Sequence, residues 1–323
     1  MSGRRAAIPA ARKLYSSKAG ITHPMHRGHS FQPVDAALLG TVLIWGSNLI
    51  VVKSTLVEIP PMAFNALRLV IAPAVLLLLT WLVEHDISIS RKDWGLALLV
   101  GLVGHLAHLE LFVEGIARTT ATNVALILAA TPAFVALIGV ANKSERLAAR
   151  NWLGILLSFT GIFVVISAQG PGLQFGLQTL SGDLMMLGST VLWALYIVLS
   201  KPLVMHTSAL RAAAWTMVFA SPFLLLVGMP QLRSHDWQAV SSGSWLGLLY
   251  SAIFSIGIGY AIWNLGIRHI GSARVAVYSY LTPLVTVIVA WIFLGEVLRP
   301  LQAVGGVMVL VGVALGRHSA DQI

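Results

Sequence analysis

Cysteine is missing from this 323-residue chain. That excludes a disulfide framework, a thiolate metal site and a cysteine nucleophile. Charge is scarce as well: 10% of the residues are Asp, Glu, Lys or Arg, while 57% are hydrophobic. A soluble α/β enzyme carries roughly a quarter charged residues, so water is not the main solvent of this chain. Acid is the scarcer sign, 12 residues against 21 basic ones. Residues 1 to 34 hold no acid at all, yet carry Arg4, Arg5, Arg12, Lys13, Lys18 and Arg27. The surplus does not describe a nucleic-acid binder, which gathers Lys and Arg on one face or tail of a soluble domain. Beyond residue 34 the basic residues punctuate apolar segments, as orientation signals do.

What the chain has is apolar length. Stretches of about 20 apolar residues, long enough to cross a hydrocarbon core of roughly 30 Å, recur with short polar breaks. They predict an all-α membrane protein of ten helices over 36–57, 62–83, 94–117, 121–141, 151–167, 183–205, 208–228, 245–267, 273–295 and 301–316. The fifth and tenth are the shortest, and cross if their ends thin the bilayer or sit at its edge. Residues 1–34 read as a basic cytosolic leader. An organellar transit peptide, or an over-extended start with Met25 as the true initiator, are the competing readings, and the first apolar run is too long and too late for a cleaved secretory signal. With the N-terminus in the cytosol, sixteen of the 21 basic residues lie on that side, and only Lys53, Arg118, Arg233 and Arg299 on the other, with Arg68 inside a span. That asymmetry favours an even helix count with both termini cytoplasmic; the membrane expected is a plasma membrane of the bacterial inner-membrane kind.

The chain also repeats. A shift of 148 carries Asp35, Gly40, Trp45 and Lys53 onto Asp183, Gly188, Trp193 and Lys201. A shift of 151 carries Trp94, Gly115, Val124, Ala125, Thr131, Pro132, Glu145, Gly154 and Gly161 onto Trp245, Gly266, Val275, Ala276, Thr282, Pro283, Glu296, Gly305 and Gly312. The units run over residues 35–170 and 171–316, with a short tail at 317–323. Five spans per unit is an odd number, so the second copy lies upside down relative to the first. Two similar halves related in this way offer two nearly equivalent states, which is the architecture of an alternating-access transporter.

Several local runs resemble the drug/metabolite transporter superfamily, in particular its EamA-type carriers. These are Trp-Gly-Ser-Asn at 45 to 48, Arg68 in the second helix, Thr-Pro in the fourth and ninth, and the stretch from Gly257 to Glu296. That stretch holds Gly-Tyr-Ala-Ile-Trp-Asn at 259 to 264, Tyr-Leu-Thr-Pro at 280 to 283 and Leu-Gly-Glu at 294 to 296. The first copy departs from the pattern with Lys-Ser-Glu at 143 to 145. The resemblance covers residues 35 to 316. It implies two inverted EamA units, with helices one to four and six to nine around a central cavity and helices five and ten at the periphery. It also implies export of amino acids, nucleosides or other small metabolites.

Polar and aromatic side chains at membrane depth need partners or a wet cavity, so they mark the pathway. At helical spacing Thr41, Trp45 and Asn48 share one stripe, and Ser189, Trp193 and Tyr196 share its counterpart. Ordinary packing is the competing reading. Tyr260, Trp263, Asn264, Tyr278 and Tyr280 add amphipathic groups able to bind an aromatic moiety or an ammonium, unless they are interfacial belt residues, a reading that suits Trp263 best. Arg68 is unfavourable by roughly 2.5 to 3.5 kcal/mol at mid-depth on insertion scales. It is expected to pair with Glu110, as a structural tie or as a gate and substrate-carboxylate anchor. His105 and His108 share a face and are either hydrogen-bonded imidazoles or a protonatable, substrate-contacting pair. Glu110 is turned away from both, and the i, i+4 His pair of zinc hydrolases is absent, so no metal site is expected. Pro132 and Pro283 are expected to kink the middle of their helices.

The reading is an exporter of small metabolites, amino acids first, by alternating access. The alternatives are an uncoupled facilitator or exchanger of nucleosides, sugars or other metabolites and, from another class, an intramembrane metallohydrolase on His105, His108 and Glu110. The expected partners are a small-molecule substrate and the lipid bilayer, with no cofactor and no nucleic acid, and the sequence does not set an oligomeric state.

Overall fold

The computed structural model describes residues 32–141, 149–168, 177–271, 275 and 278–317. The leader before residue 32, the run at 143 to 145, and the tail beyond Arg317 therefore lie outside the described residues. Ten apolar helices are numbered in chain order: α1 Pro33–Thr55, α2 Pro61–Glu84, α3 Arg91–Arg118, α4 Ala121–Ala141, α5 Ala149–Ser167, α6 Leu177–His206, α7 Ala209–Ser234, α8 Ser242–Ile270, α9 Thr282–Leu294 and α10 Pro300–Arg317. Eight are long and apolar enough to cross a membrane, and the ninth and tenth contribute the two shorter apolar helices.

Local chemistry sets their ends. Pro33 opens α1 behind Gln32, whose backbone N–H donates to Asp35 Oδ2 at 2.7 Å, closing a capping box. Thr120, Ser208 and Ser241 cap α4, α7 and α8 by accepting from the backbone N–H three residues on. Gly271 and Gly295, at φ of 83° and 64°, stop α8 and α9 in backbone that other residues rarely adopt.

The two-fold relation can be read from contacts between repeat mates. In α5 and α10, Gly161 lies against Gly305 and Gly154 against Gly312, so each glycine meets the mate of the other. A Cβ added at Gly161 would sit 2.6 Å from the carbonyl oxygen of Gly305. Ser158, midway, donates to the carbonyl oxygen of its own mate position, Val309, at 3.3 Å. These pairings run antiparallel and are reciprocal, as a two-fold axis in the membrane plane requires. The same exchange recurs where Gly115 packs on Met186 and Gly266 on Leu38. Small residues permit this closeness where apolar side chains gain nothing by leaving lipid.

Both halves interrupt the same helices. In α3 the π-helical turns of Leu102–Ala107 separate two α segments, and in α8 the corresponding turns are Ser251–Ile258. Wide turns of this kind are uncommon and concentrate at functional sites. α4 breaks at Ala129 and Ala130, between Leu128 and Thr131. α9 runs from Thr282 behind a 3-10 turn at Ser279–Leu281, and most of the stretch from 272 to 277, where apolarity starts this span, lies outside the described residues. Pro132 and Pro283 therefore do not kink a continuous helix. Each stands in the first turn after a break, where the missing N–H leaves no partner wanting.

Candidate functional site

The face bearing Pro33 is called here the N-terminal face. Between it and the opposite face, Trp45 of α1 and its mate Trp193 of α6 meet on the axis, ring centroids 5.6 Å apart and nearly perpendicular. Tyr196 stacks on Trp193 at 5.0 Å and donates its hydroxyl to Asn264 Oδ1 at 3.2 Å. Tyr260 lies 5.2 Å from Trp193, and Trp263 lies 4.9 Å from Trp45. Trp263 is only 1% exposed, so it is no interfacial belt residue. The Trp45 indole N–H donates to the carbonyl oxygen of Ser255 at 3.0 Å, a carbonyl within the π-helical turns of α8. Gly259 leaves room for that indole.

A cleft of about 720 Å³, counted to its open mouth, lies beside this cluster and draws walls from both halves. Trp45, Asn48, Arg68, His108, Trp193 and Tyr260 line it, so six of the residues singled out in the sequence converge there. Pro283 and Thr282 join them at the start of α9, and Thr131 at the break in α4. Thr41 does not: its hydroxyl donates back to the Ala37 carbonyl at 3.1 Å. Tyr278 lies toward the N-terminal face, donating to Asp35. The Tyr280 side chain lies outside the described residues.

Arg68 is 1% exposed, and its expected pairing with Glu110 is not formed. Nη1 donates to Ser251 Oγ at 2.8 Å, Nη2 donates to Asn65 Oδ1, and the guanidinium lies 4.3 Å from the centroid of Phe64. The Asn65 amide is fixed in turn by donating to the Leu109 carbonyl at 2.7 Å. Both Glu110 carboxylate oxygens are buried without a hydrogen-bond partner among the described residues. Desolvation of the arginine is thus offset by neutral acceptors and a ring face. Asn65 was legible as a polar residue three positions before Arg68 on the same helical face. Ser251 carried a weaker signal, a serine paired at i, i+4 with Ser255 in an apolar run.

The histidines part company. His105 Nε2 lies 3.0 Å from the Thr216 hydroxyl, which also lies 2.8 Å from the Ala212 carbonyl. Nδ1 of His105 is buried with no hydrogen-bond partner among the described residues. His108 Nδ1 lies 2.9 Å from the Ser189 carbonyl and donates to it, leaving Nε2 as its acceptor nitrogen. Ser189 is thereby a support for His108 more than a wall of the cleft.

On the opposite face, one helical turn beyond the cleft, an ionic network joins the two halves. Glu296 accepts from the backbone N–H groups of Ala121 and Thr122, each at 3.0 Å, and so caps the N-terminus of α4. Lys53 Nζ lies 3.6 Å from the same carboxylate and donates to the Thr119 carbonyl. Asp183 accepts from Thr119 Oγ1 at 2.6 Å and from Asn123 Nδ2 at 3.1 Å. The N-terminal face has its own cross-half tie, Arg211 to Glu84 at 2.8 Å and to Asp86 at 2.9 Å. There the Ser88 backbone N–H, donating to Asp86, holds that exposed carboxyl below its ordinary range.

Comparison with known proteins bears on both halves of the chain. The family model described as the EamA-like transporter family matches twice, over residues 32–167 and 180–316. The chain is 28% identical to "Uncharacterized transporter YyaM" of Bacillus subtilis (strain 168), over 85% of this chain and 90% of that protein. It is 28% identical to the "Probable amino-acid metabolite efflux pump" of Salmonella typhimurium, covering 84% and 90%. It is 27% identical to the "Probable terminal-alkyne amino-acid exporter" of Streptantibioticus cattleyicolor, covering 86% and 91%. A solved crystal structure shares the fold, with a TM-score of 0.65 at 18% identity over 89% of this chain and 98% of the other.

Proposed function

The chain belongs to the EamA-like transporter family, and on that premise we propose that it exports small metabolites, amino acids first among them, by alternating access. The observation that carries this reading is the cleft itself, lying at mid-depth and walled by both halves around the mated pair Trp45 and Trp193. Rocking of one half against the other about such a site exposes it to either side of the membrane in turn. The aromatic walls accept the apolar part of a metabolite, and Arg68 is the cation available to a carboxylate. Two relatives whose names speak of amino-acid efflux or export support the choice of substrate.

Units over residues 35–170 and 171–316 then act as the two moving halves. The bacterial relatives support an inner-membrane setting, and the excess of Lys and Arg supports an orientation with the N-terminal face and both termini cytoplasmic. Chemistry on the substrate is not part of this reading, since a carrier needs no covalent step.

The test is counterflow in proteoliposomes. Vesicles loaded with one unlabelled amino acid at a time should accumulate labelled amino acid transiently when the substrate is right. Absence of counterflow for every amino acid, with flux of a nucleoside or sugar instead, would replace the amino-acid reading. A pH gradient that fails to drive uptake into inside-out vesicles would mark an uncoupled facilitator or exchanger.

A further inference from the structure

Two residues of the cleft wall each keep a buried polar atom that the protein's own hydrogen bonding does not use. Arg68 commits Nη1 to Ser251 and Nη2 to Asn65, while its buried Nε–H meets no acceptor among the described residues. Asn48, one turn from Trp45, holds a buried Oδ1 that receives no donor among them. Both residues line the same cleft. Buried polar groups are almost always paired, so a leftover cationic donor and a leftover neutral acceptor in one cavity describe the complement of a ligand.

The lining adds a sign. Among the described residues that line it, Arg68 is the one permanent cation and there is no Asp or Glu. A carboxylate therefore finds a full opposite charge, whereas an ammonium finds Asn48 Oδ1, the acceptor nitrogen of His108, and the faces of Trp45, Trp193 and Tyr260. The aromatic frame is two-fold, but the charge is not. At shifts of 148 to 151 from Arg68 stand Thr216, Met217, Val218 and Phe219, none of them basic, and the mate of Asn48 is Tyr196, already engaged with Asn264.

We infer that the cleft holds an α-amino acid with an aromatic or bulky apolar side chain in one fixed orientation, its carboxylate on Arg68 and its ammonium on Asn48. This rests on the amino-acid exporter reading and adds to it which residue holds which end. Both anchors lie in the first half, so the second half supplies aromatic surface and moves past a substrate tethered to its partner.

The experiment measures binding by quenching of intrinsic tryptophan fluorescence in the purified full chain. Three ligands are compared: L-phenylalanine, 3-phenylpropionate, which lacks the ammonium, and 2-phenylethylamine, which lacks the carboxylate. Each truncated ligand should bind about tenfold or more weakly than L-phenylalanine. Asn48→Leu should weaken L-phenylalanine about tenfold and leave 3-phenylpropionate unchanged, a contrast that a general packing defect does not produce. Arg68→Gln should erase the preference for L-phenylalanine over 2-phenylethylamine. Because Arg68 also ties α2 to α8 and its variant can misfold, the wild-type comparison of those two ligands carries that arm by itself. Equal weakening of L-phenylalanine and 3-phenylpropionate by Asn48→Leu overturns the ammonium anchor. Equal wild-type affinity for L-phenylalanine and 2-phenylethylamine overturns the carboxylate anchor. Failure of every amino acid both to bind and to show counterflow overturns the exporter reading beneath them. Counterflow of amino acids with small side chains alone, while L-phenylalanine stays unbound, overturns only the inference drawn here.

Discussion

At the edge of the molecule α5 and α10 meet glycine to glycine, while at its centre α1 and α6 meet tryptophan to tryptophan. Both contacts obey the same two-fold relation, and they are finished in opposite ways. At the edge the polar groups are spent: Ser158 donates to the carbonyl oxygens of Gly154 and Val309, and the outward flanks offer Trp152, Leu156, Phe163, Val304 and Val307 to lipid. At the centre, Asn48, Arg68, His105, Glu110 and Trp263 each keep a buried polar atom unpartnered among the described residues, and none of that set belongs to α5 or α10. Symmetry alone thus does not mark function. The difference lies in whether the mated surfaces close on themselves or leave hydrogen-bonding capacity for a guest.

Four substitutions would break or sharpen this contrast. The largest effect belongs to the edge. Gly161→Leu forces a side chain into the Gly305 backbone and should destabilise the folded chain by about 3 kcal/mol. The melting temperature in detergent should fall steeply, with flux per folded molecule unchanged. Next comes Arg68→Gln, which removes charge-assisted bonding worth about 2 kcal/mol to a bound carboxylate. Amino-acid flux should drop by roughly thirtyfold, again measured per folded molecule. Smaller is Glu296→Gln on the opposite face, which exchanges a charged cap on α4 and the Lys53 contact for a neutral one at a cost of about 1 kcal/mol. Faster labelling of a cleft residue from that face would register it. Ser158→Ala should cost only about 0.5 kcal/mol, as intramembrane hydrogen bonds usually do, and leave both stability and flux near wild type. A large loss of flux from Ser158→Ala would dissolve the distinction between edge and centre.

Much of the fold is legible in the sequence, because hydropathy and a constant shift are one-dimensional properties. The ten apolar segments, the two registers, the Trp45 and Trp193 pair, and the convergence of Asn48, Arg68, His108 and Tyr260 on one cleft all derive from them. The misses share a cause. Assigning faces at 100° per residue assumes unbroken α-helix, and α3 carries π-helical turns just before Glu110. Each wide turn rotates the residues after it, so depth alone could not decide whether Arg68 meets Glu110, whereas Asn65, on the same helix as Arg68, was within reach of simple spacing. Apolar windows also misplace ends. α6 begins at Leu177, in a polar turn that hydropathy omits, and α7 runs through Pro230 to Ser234. The breaks before Thr131 and Thr282 are backbone events at residues of ordinary hydropathy, so only the two Thr-Pro pairs hinted at them.

The account depends on a cleft that opens to both sides of the membrane in turn, and the absence of cysteine makes that measurable without background. Thr282→Cys places one thiol on the cleft wall, and Leu156→Cys, on the exposed flank of α5, serves as the lipid-facing control. In oriented vesicles a membrane-impermeant maleimide is added to one face or the other. The expected result is labelling of the Thr282 variant from either face, slowed by substrate, with the Leu156 variant silent. Labelling from a single face, indifferent to substrate, would contradict alternating access.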